Sequence, residues 1–409
     1  MKAISRGRIG HPLLKELLWF VMSFLVPLKD KKLVLEFEEK FASQVGRNYC
    51  VAFPLARTGI HSVLKSLNLP KGTKILMPTV SIKGILDVVL HLGLEPIFID
   101  LELDTFNWDE KQLQIALTNK PKVAIFTYLF GMVPNIDFIL KELKKENVFV
   151  IEDFSQAWNA THMNRKAGQL GDISVYSTSS LKSIDTFGGG LVLTDDKEFY
   201  KKMKIVEKTL SKPNRLELSK KILLSLIKNV LTYPAIFNYF TFPALNRITK
   251  GNNKFERFVG ARDQSPVSQL PIEWFQKFTS LQAKVGIYML KYSKEADKKR
   301  ILIGEKYLIG LNDKKIKNYG NSVFWQYIVI VKDFKQFKKE LQNFRIDTGL
   351  TSLINLSELP NYKIIHGYPK AAKLYNNGAY IPCYSQISES NLERLIDVVG
   401  KSKQLVKNS

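Results

Sequence analysis

From residue 35 to about 200, short apolar runs alternate with segments of helical periodicity. The runs "VAF" (51–53), "KILMP" (74–78), "PIFID" (96–100), "KVAIFTYLF" (122–130), "VFVIED" (148–153), "ISVYS" (173–177) and "GLVLTD" (190–195) are rich in Val, Ile and Phe, which predicts strands. Between most of the first five lie "ARTGIHSVLKSL" (56–67), "GILDVVLHLG" (84–93) and "PNIDFILKELKKEN" (134–147), whose apolar residues recur at helical spacing. Such alternation is the signature of βαβ units, so the fold class expected is α/β: a mostly parallel seven-stranded sheet covered by helices. Between "ISVYS" and "GLVLTD" there is no room for a crossover helix with its loops. That pair is expected to join the sheet differently.

Two stretches depart from this pattern. "LLKELLWFVMSFLV" (13–26) follows Lys2, Arg6 and Arg8, is interrupted by Lys15 and Glu16 and is bounded by Pro12 and Pro27. It is shorter than the roughly 18–20 apolar residues of a membrane span, and no small-residue cleavage site follows. An amphipathic helix is expected, either packed on the fold or lying in a membrane interface. Between 205 and 260, Ile222, Leu223, Leu226, Ile227 and Val230 recur at helical spacing with Lys220, Lys221 and Lys228 among them. This basic amphipathic helix suits either an anionic bilayer surface or an arm in a dimer contact. From about 270, "FTSLQAKVGIYMLKYSKEADKKRILIGEKYLIGL" reads as one or two long helices, followed by β-like "VFWQYIVIV" (323–331) and a last helix in "SESNLERLIDVVGK". The division expected is an N-terminal amphipathic segment (1–34), a large domain (35–204), a basic insertion (205–265) and a smaller α+β domain (266–409).

Composition narrows the class. At 409 residues, more than one domain is expected. With 45% hydrophobic residues and 25 phenylalanines the chain can build a packed core. Cys50 and Cys383, the only cysteines, cannot make a disulfide framework, so a reducing compartment, by default the cytoplasm, is expected. The formal net charge is +23, and the stretch 201–300 holds 21 Lys and Arg against 7 Asp and Glu. Its +14 favours an anionic partner. No zinc-finger or RNP pattern accompanies it, so no nucleic-acid partner is expected. An anionic membrane surface at the inner face stays open.

The candidate chemistry centres on Lys182. It follows a predicted strand in a turn rich in hydroxyls (Ser177, Thr178, Ser179, Ser180), and Gly188, Gly189 and Gly190 come just after. Asp153 ends the apolar strand "VFVIED", where a lone carboxylate is costly unless it meets a cation. A lysine amine and an aspartate opposite a pyridinium nitrogen are the pair by which proteins hold pyridoxal 5'-phosphate. A second anion site is expected where "VAF" gives way to the helix in "LARTGIHSVL", at the backbone N–H groups of Ala56, Arg57 and Thr58. Taken singly these features are ordinary: a strand-end Asp often caps a helix, and glycines often serve a turn. Their order along the chain gives them weight.

The segments "FEEKFASQVGRNYCVAF", "MPTVSIKGILDVVLHLGLEPIFIDLELDTFNWD", "VIEDFSQAWNAT", "GDISVYSTSSLK" and "SLQAKVG" resemble successive landmarks of the DegT-type nucleotide-sugar aminotransferases, pyridoxal phosphate enzymes of fold type I. The resemblance runs from about 35 to 200, resumes near 278, and is most specific in "EDFSQA" followed by "GDISVYSTSSLK". It implies that Lys182 tethers the cofactor, Asp153 meets its ring nitrogen, Gln156 contacts the ring or its hydroxyl, and Ser177 binds its phosphate. It also implies a keto-sugar substrate, an amino acid donor such as glutamate, and a homodimer. There are departures. Leu55-Ala56-Arg57-Thr58 stands where the family commonly has Ser-Gly-Thr or Ser-Gly-Arg, Ile82 stands where many relatives place an aromatic ring, and the family's Gly-x-Asn-x-Arg stretch is not recognisable in "GARDQSPVSQLPIEWFQKFTSLQAK". Two other readings are sugar dehydration on the same cofactor, whose enzymes replace the lysine by histidine, and a membrane-associated binding protein that keeps the fold without turnover.

Overall fold

The computed structural model describes residues 1–249, 269–313, 316–359 and 367–408. In chain order the first strands are β1 (Tyr49–Phe53), β2 (Lys74–Pro78), β3 (Glu95–Ile99), β4 (Val123–Thr127), β5 (Phe149–Asp153), β6 (Ile173–Ser177) and β7 (Gly190–Thr194). Helices α1 (Leu13–Leu25) and α2 (Lys31–Val45) precede them; α3 (Ala56–Ser66), α4 (Lys83–His91), α5 (Glu110–Leu117) and α6 (Ile136–Lys145) connect them. The strands form one sheet in the order β1-β7-β6-β5-β4-β2-β3. Neighbours from β6 to β3 are parallel, while β7 is antiparallel to both β1 and β6. Each predicted strand is present to within a few residues, and the short link before β7 explains its reversed direction.

Alternate residues of a strand feed opposite cores, as the two-residue period requires. Ala52, Ala124 and Phe126 join a cluster with Phe37, Phe41 and Tyr176, whereas Val51, Phe53, Val123 and Ile125 join another with Ile60 and Ile85. All residues of β4, β6 and β7 are buried, and the polar residues in them are only small hydroxyls, Thr127, Ser174, Ser177 and Thr194.

After the sheet come α7 (Lys197–Thr209) and α8 (Arg215–Leu231), then α9 (Ser280–Gly310), a single 31-residue helix opened by a reciprocal Thr279–Gln282 capping box. The end of the chain holds β8 (Tyr327–Ile330), α10 (Phe334–Asn343), β9 (Gly349–Leu350), α11 (Pro369–Asn377), β10 (Gly378–Ile381) and α12 (Glu389–Asn408). Strands β8, β10 and β9 form an antiparallel sheet in that order, packed through Phe337, Leu341 and Leu395. A two-residue pairing of Val80–Ser81 with Ile354–Asn355 links this region to the large sheet. Residues 250–265 of the expected insertion, and 260–268 of the stretch without a recognisable Gly-x-Asn-x-Arg, lie outside the described residues.

Helices α1 and α8 pack on one another. Their burial is not the one expected of amphipathic helices on a core. Ile222 is buried, but Leu223 and Ile227 are exposed, while Ser219, Ser225 and Asn229 are buried.

Candidate active site

Strands β4, β5 and β6 run parallel, so their C-terminal ends deliver Thr127, Asp153 and Ser177 to one edge of the sheet. Thr127 and Asp153 are register partners. Carboxyl ends of parallel strands are where open α/β sheets place ligands.

Asp153 is buried, and its carboxylate accepts a hydrogen bond from the Ser155 N–H at 3.0 Å. Burial pushes its carboxyl above the usual range; Ser155 and the charge of Lys182 pull it part of the way back. The preceding Glu152 is a useful contrast. Its two oxygens accept from Tyr128 Oη (2.9 Å), the N–H groups of Gly168 (2.7 Å), Leu170 (2.7 Å) and Gly171 (2.8 Å), and Ser174 Oγ (3.3 Å). Glu152 is saturated by the protein, whereas Asp153 answers to a lysine.

The side chain of Lys182 as a whole keeps some solvent contact, but its amine is desolvated, which lowers its pKa to about 7; Asp153 opposes the shift and Arg300 adds to it. Its Nζ stands 3.7 Å from the centre of the Trp325 ring, and the Trp325 indole N–H donates to the Leu181 carbonyl at 2.8 Å. An amine near neutrality at its pKa is suited both to nucleophilic attack and to proton transfer.

The loop carrying the lysine is tightly built. Leu181 (φ 69°) and Phe187 (φ 63°) both adopt left-handed backbone, which costs a non-glycine residue energy unless its surroundings hold it. Asp185 supplies the hold: its carboxylate accepts from the Phe187 N–H (2.8 Å) and the Leu181 N–H (3.2 Å). The Asp185 carbonyl in turn accepts from His11 Nε2 at 2.9 Å, and His11 lies 3.4 Å from Glu16. Burial disfavours the charged form of His11, but Asp185 and Glu16 prevail and hold its pKa above the usual value. The triple glycine has steric reasons. A Cβ on Gly189 (φ +140°) would stand 2.3 Å from Thr178 Oγ1, and one on Gly190 would stand 2.2 Å from the Ala56 nitrogen.

That last approach brings the start of α3 against β7, whose Gly190 is also the register partner of Ser177. Ser177 and the α3 N-terminus are therefore one strand apart. Ser177 donates its N–H to Ser155 Oγ at 2.8 Å, and its hydroxyl pairs with Ser179 Oγ at 2.8 Å. The first N–H groups of α3, those of Ala56 and Arg57 included, have no intrahelical acceptors and remain available for an anion. Two side chains there are engaged elsewhere: Thr58 Oγ1 donates to the Trp274 carbonyl at 2.6 Å, and the Arg57 guanidinium lies 4.5 Å from the Trp274 ring centre. Gln156 is buried, and its Oε1 accepts from the Phe130 N–H at 2.7 Å, fixing a turn in which Phe130 has φ 58°. Ile82 is 46% exposed at the start of α4. The ring beside the lysine amine is instead Trp325, from more than 140 residues further along the chain.

Sequence reasoning missed Trp325, Arg300, Asp297 and His11. Buried Asp297 accepts from Asn159 (2.9 Å) and Ser183 Oγ (2.9 Å) and pairs with Arg300 at 3.3 Å. These residues meet the lysine loop only through tertiary packing, and no local motif marks them.

The residues present fit pyridoxal 5'-phosphate. Thr127 Oγ1 is a buried hydroxyl without a partner at the strand edge that also holds Asp153. The remaining donor set comprises one amine, one carboxylate not saturated by the protein, two adjacent serine hydroxyls and a helix N-terminus, the complement of a cationic ring bearing an aldehyde and a phosphate.

Comparison with known proteins agrees. Residues 28–221 match the model of the DegT/DnrJ/EryC1/StrS aminotransferase family. A GDP-perosamine synthase of Caulobacter vibrioides is 29% identical over 184 residues, 45% of this chain and about half (50%) the length of that enzyme. The spore coat polysaccharide biosynthesis protein SpsC of Bacillus subtilis is 23% identical across 90% of this chain and 88% of its own. Among solved structures, the E. coli GDP-4-keto-6-deoxy-D-mannose-3-dehydratase with bound hydrated PLP superposes with a TM-score of 0.73 at 20% identity, covering 98% of this chain and all (100%) of the other. The fold is that of this solved structure.

Proposed function

We propose that this protein, whose residues 28–221 match the model of the DegT/DnrJ/EryC1/StrS aminotransferase family, is a pyridoxal 5'-phosphate-dependent aminotransferase. It converts a nucleotide-linked keto sugar to an amino sugar with glutamate as donor, in the synthesis of a surface polysaccharide. The relatives that make GDP-perosamine and spore coat polysaccharide support that substrate class. The observation that carries the reading is the desolvated Lys182 amine, with a pKa near 7, electrostatically coupled to buried Asp153 at the carboxyl edge of a parallel sheet.

Lys182 is the residue that would tether the cofactor, Asp153 the one that would face its ring nitrogen, and Gln156 a ring contact. Ser177, with the N-terminus of α3 at Ala56, Arg57 and Thr58, would take its phosphate. Of these, Ala56 and Arg57 would supply the free N–H groups, since the Thr58 hydroxyl donates to the Trp274 carbonyl and its N–H to the Leu55 carbonyl at 3.1 Å. When bound, the cofactor supplies an electron sink for negative charge beside the reacting nitrogen. Lys182 Nζ, once free, accepts the proton from the donor's Cα and returns it; with its pKa near 7 both forms are populated. Trp325 packs against that amine, and burial together with the charge of Arg300 disfavours its protonated form. The lysine itself favours transamination over dehydration. The proposal extends to a homodimer, a cytoplasmic location and the four-part division 1–34, 35–204, 205–265 and 266–409.

Purified protein supplied with the cofactor and reduced with borohydride should carry a covalent label on Lys182, located by peptide mass spectrometry. It should also pass nitrogen from glutamate to a GDP-linked 4-keto sugar. Absence of the label overturns the cofactor assignment. A label without transfer to any of a panel of nucleotide-linked keto sugars overturns the substrate class.

A further inference from the structure

Helices α1 and α8 lie side by side and antiparallel. Ser23 Oγ meets Ser219 Oγ at 2.7 Å near one end, and Asn229 Nδ2 donates to Glu16 at 2.6 Å near the other. Beyond the serine pair, Arg215 donates to the Val26 carbonyl at 2.8 Å. The seam of the pair is thus polar. Trp19, Leu218 and Ile222 face the protein core. What remains for the outside is lysines and a run of apolar side chains: Leu14, Leu17, Leu18, Val21, Phe24 and Leu25 on α1, and Leu216, Leu223, Leu224, Ile227 and Leu231 on α8, all exposed. Leu14 and Leu25 reach 81% and 75%. Helices on a water-facing surface put their polar side outward; this pair is turned the other way. An exposed apolar surface of such extent marks an interaction site.

Charge selects the partner. Glu16 and Glu217 are the only acidic residues in the two helices; Glu16 is buried and Glu217 half-buried, whereas Lys15, Lys220, Lys221 and Lys228 are exposed. On α8, Lys220, Leu223, Leu224, Ile227 and Leu231 fall at three- and four-residue intervals, so cations border the leucines directly. Lysine stems can lie along apolar surface while their ammonium groups reach for phosphate. A second copy docked on the same face by a two-fold axis would bring lysines toward lysines, with no exposed carboxylate on either helix to answer them. No described helix is long and apolar enough to cross a membrane, so the pair can only lie in the plane of a bilayer.

We infer that the outer face of α1 and α8 docks on an anionic lipid bilayer, with its leucines at the acyl boundary and Lys220, Lys221 and Lys228 among the headgroups. The inference stands on this surface alone and does not depend on the reaction.

The test is co-sedimentation of the full chain with vesicles of phosphatidylcholine alone or mixed with phosphatidylglycerol. Binding is expected to the anionic vesicles and to weaken with salt. Leu18→Glu combined with Leu224→Glu should lower the partition coefficient about tenfold or more, since two buried side chains are lost and two repelled charges gained. Lys220→Ser with Lys221→Ser and Lys228→Ser should weaken it on anionic vesicles only. Every altered residue is exposed, and an unchanged thermal transition verifies the fold. The inference is overturned if the unaltered protein does not sediment with anionic vesicles at low salt, or if the leucine variant binds as well. It is also overturned if light scattering shows that the leucine variant has lost a subunit, which would make the face a contact between copies.

Discussion

The sheet and the α1–α8 pair use the same residue types in opposite ways. In β4 and β5 apolar residues are buried on both faces, and of the two carboxylates that end β5 one is saturated by the protein, Glu152, and the other is coupled to a lysine, Asp153. In the helix pair Glu16, Ser23, Ser219 and Asn229 are buried, and the leucines are outside among the lysines. Hydrophobic periodicity therefore reports which residues share a face, but not which medium that face meets. Water is one medium, protein another, and lipid a third.

The largest effects should fall where a buried polar group is not satisfied by the protein itself. Asp153→Asn, nearly isosteric, should lower kcat on the order of 10²–10³-fold, as loss of one preorganised charge at a reacting group does, with little change in unfolding temperature. Glu152→Ala should do the reverse. It leaves three backbone N–H groups and a tyrosine hydroxyl without their acceptor, so it should destabilise the fold by about 3 kcal/mol or more in denaturant titration. If Glu152→Ala spared stability while Asp153→Asn unfolded the protein, the contrast between the two carboxylates would be reversed.

In the helix pair the comparison is sharpened at Glu16. Glu16→Ala would leave one of the two Asn229 amide hydrogens and the His11 Nδ1 without an acceptor in a buried seam, at a cost of about 1–3 kcal/mol, while Asn229 keeps the His11 carbonyl. Because His11 also holds the Asp185 carbonyl behind the lysine loop, the same variant should lower kcat several-fold, whereas a loss confined to stability would show that the loop keeps its shape unaided.

Lys182 provides a pH test of burial. Its pKa falls from 10.5 when the chain is unfolded to about 7 in the fold, so between these values the unfolded state binds more protons. This group thus makes cofactor-free protein more stable as pH rises from 7 to 9, by at most about 1.4 kcal/mol per unit. Lys182→Met should remove that slope in paired denaturant titrations. An identical slope in both proteins would place the amine in water.

Most of the sheet was legible because strands buried on both faces are rich in apolar and β-branched residues, and "KILMP" and "ISVYS" coincide with β2 and β6. Asp153 and Lys182 were legible because strand ends and hydroxyl-rich turns are local features. Trp325, Arg300 and His11 were not, since each reaches the lysine loop from a distant element by packing alone. Thr58 was placed on the right helix, but its hydroxyl was free to choose the Trp274 carbonyl, a choice that no local pattern encodes. The orientation of α1 and α8 was hidden for a related reason: serine meets serine and an asparagine meets a glutamate in a seam only once two helices are adjacent.

The smallest expected effect tests that orientation most directly. Trp19 and Leu18 are consecutive on α1, one buried among His11, Phe187 and Tyr288 and the other 48% exposed. Trp19→Ala should cost about 3–5 kcal/mol through the cavity it leaves. Leu18→Ser removes a side chain that meets solvent already, so its effect in lipid-free buffer should stay within about 0.5 kcal/mol. If Leu18→Ser destabilised the protein by as much as about 2 kcal/mol, the leucine would have to be buried in solution, and the outer face would already be covered by protein before any membrane is offered.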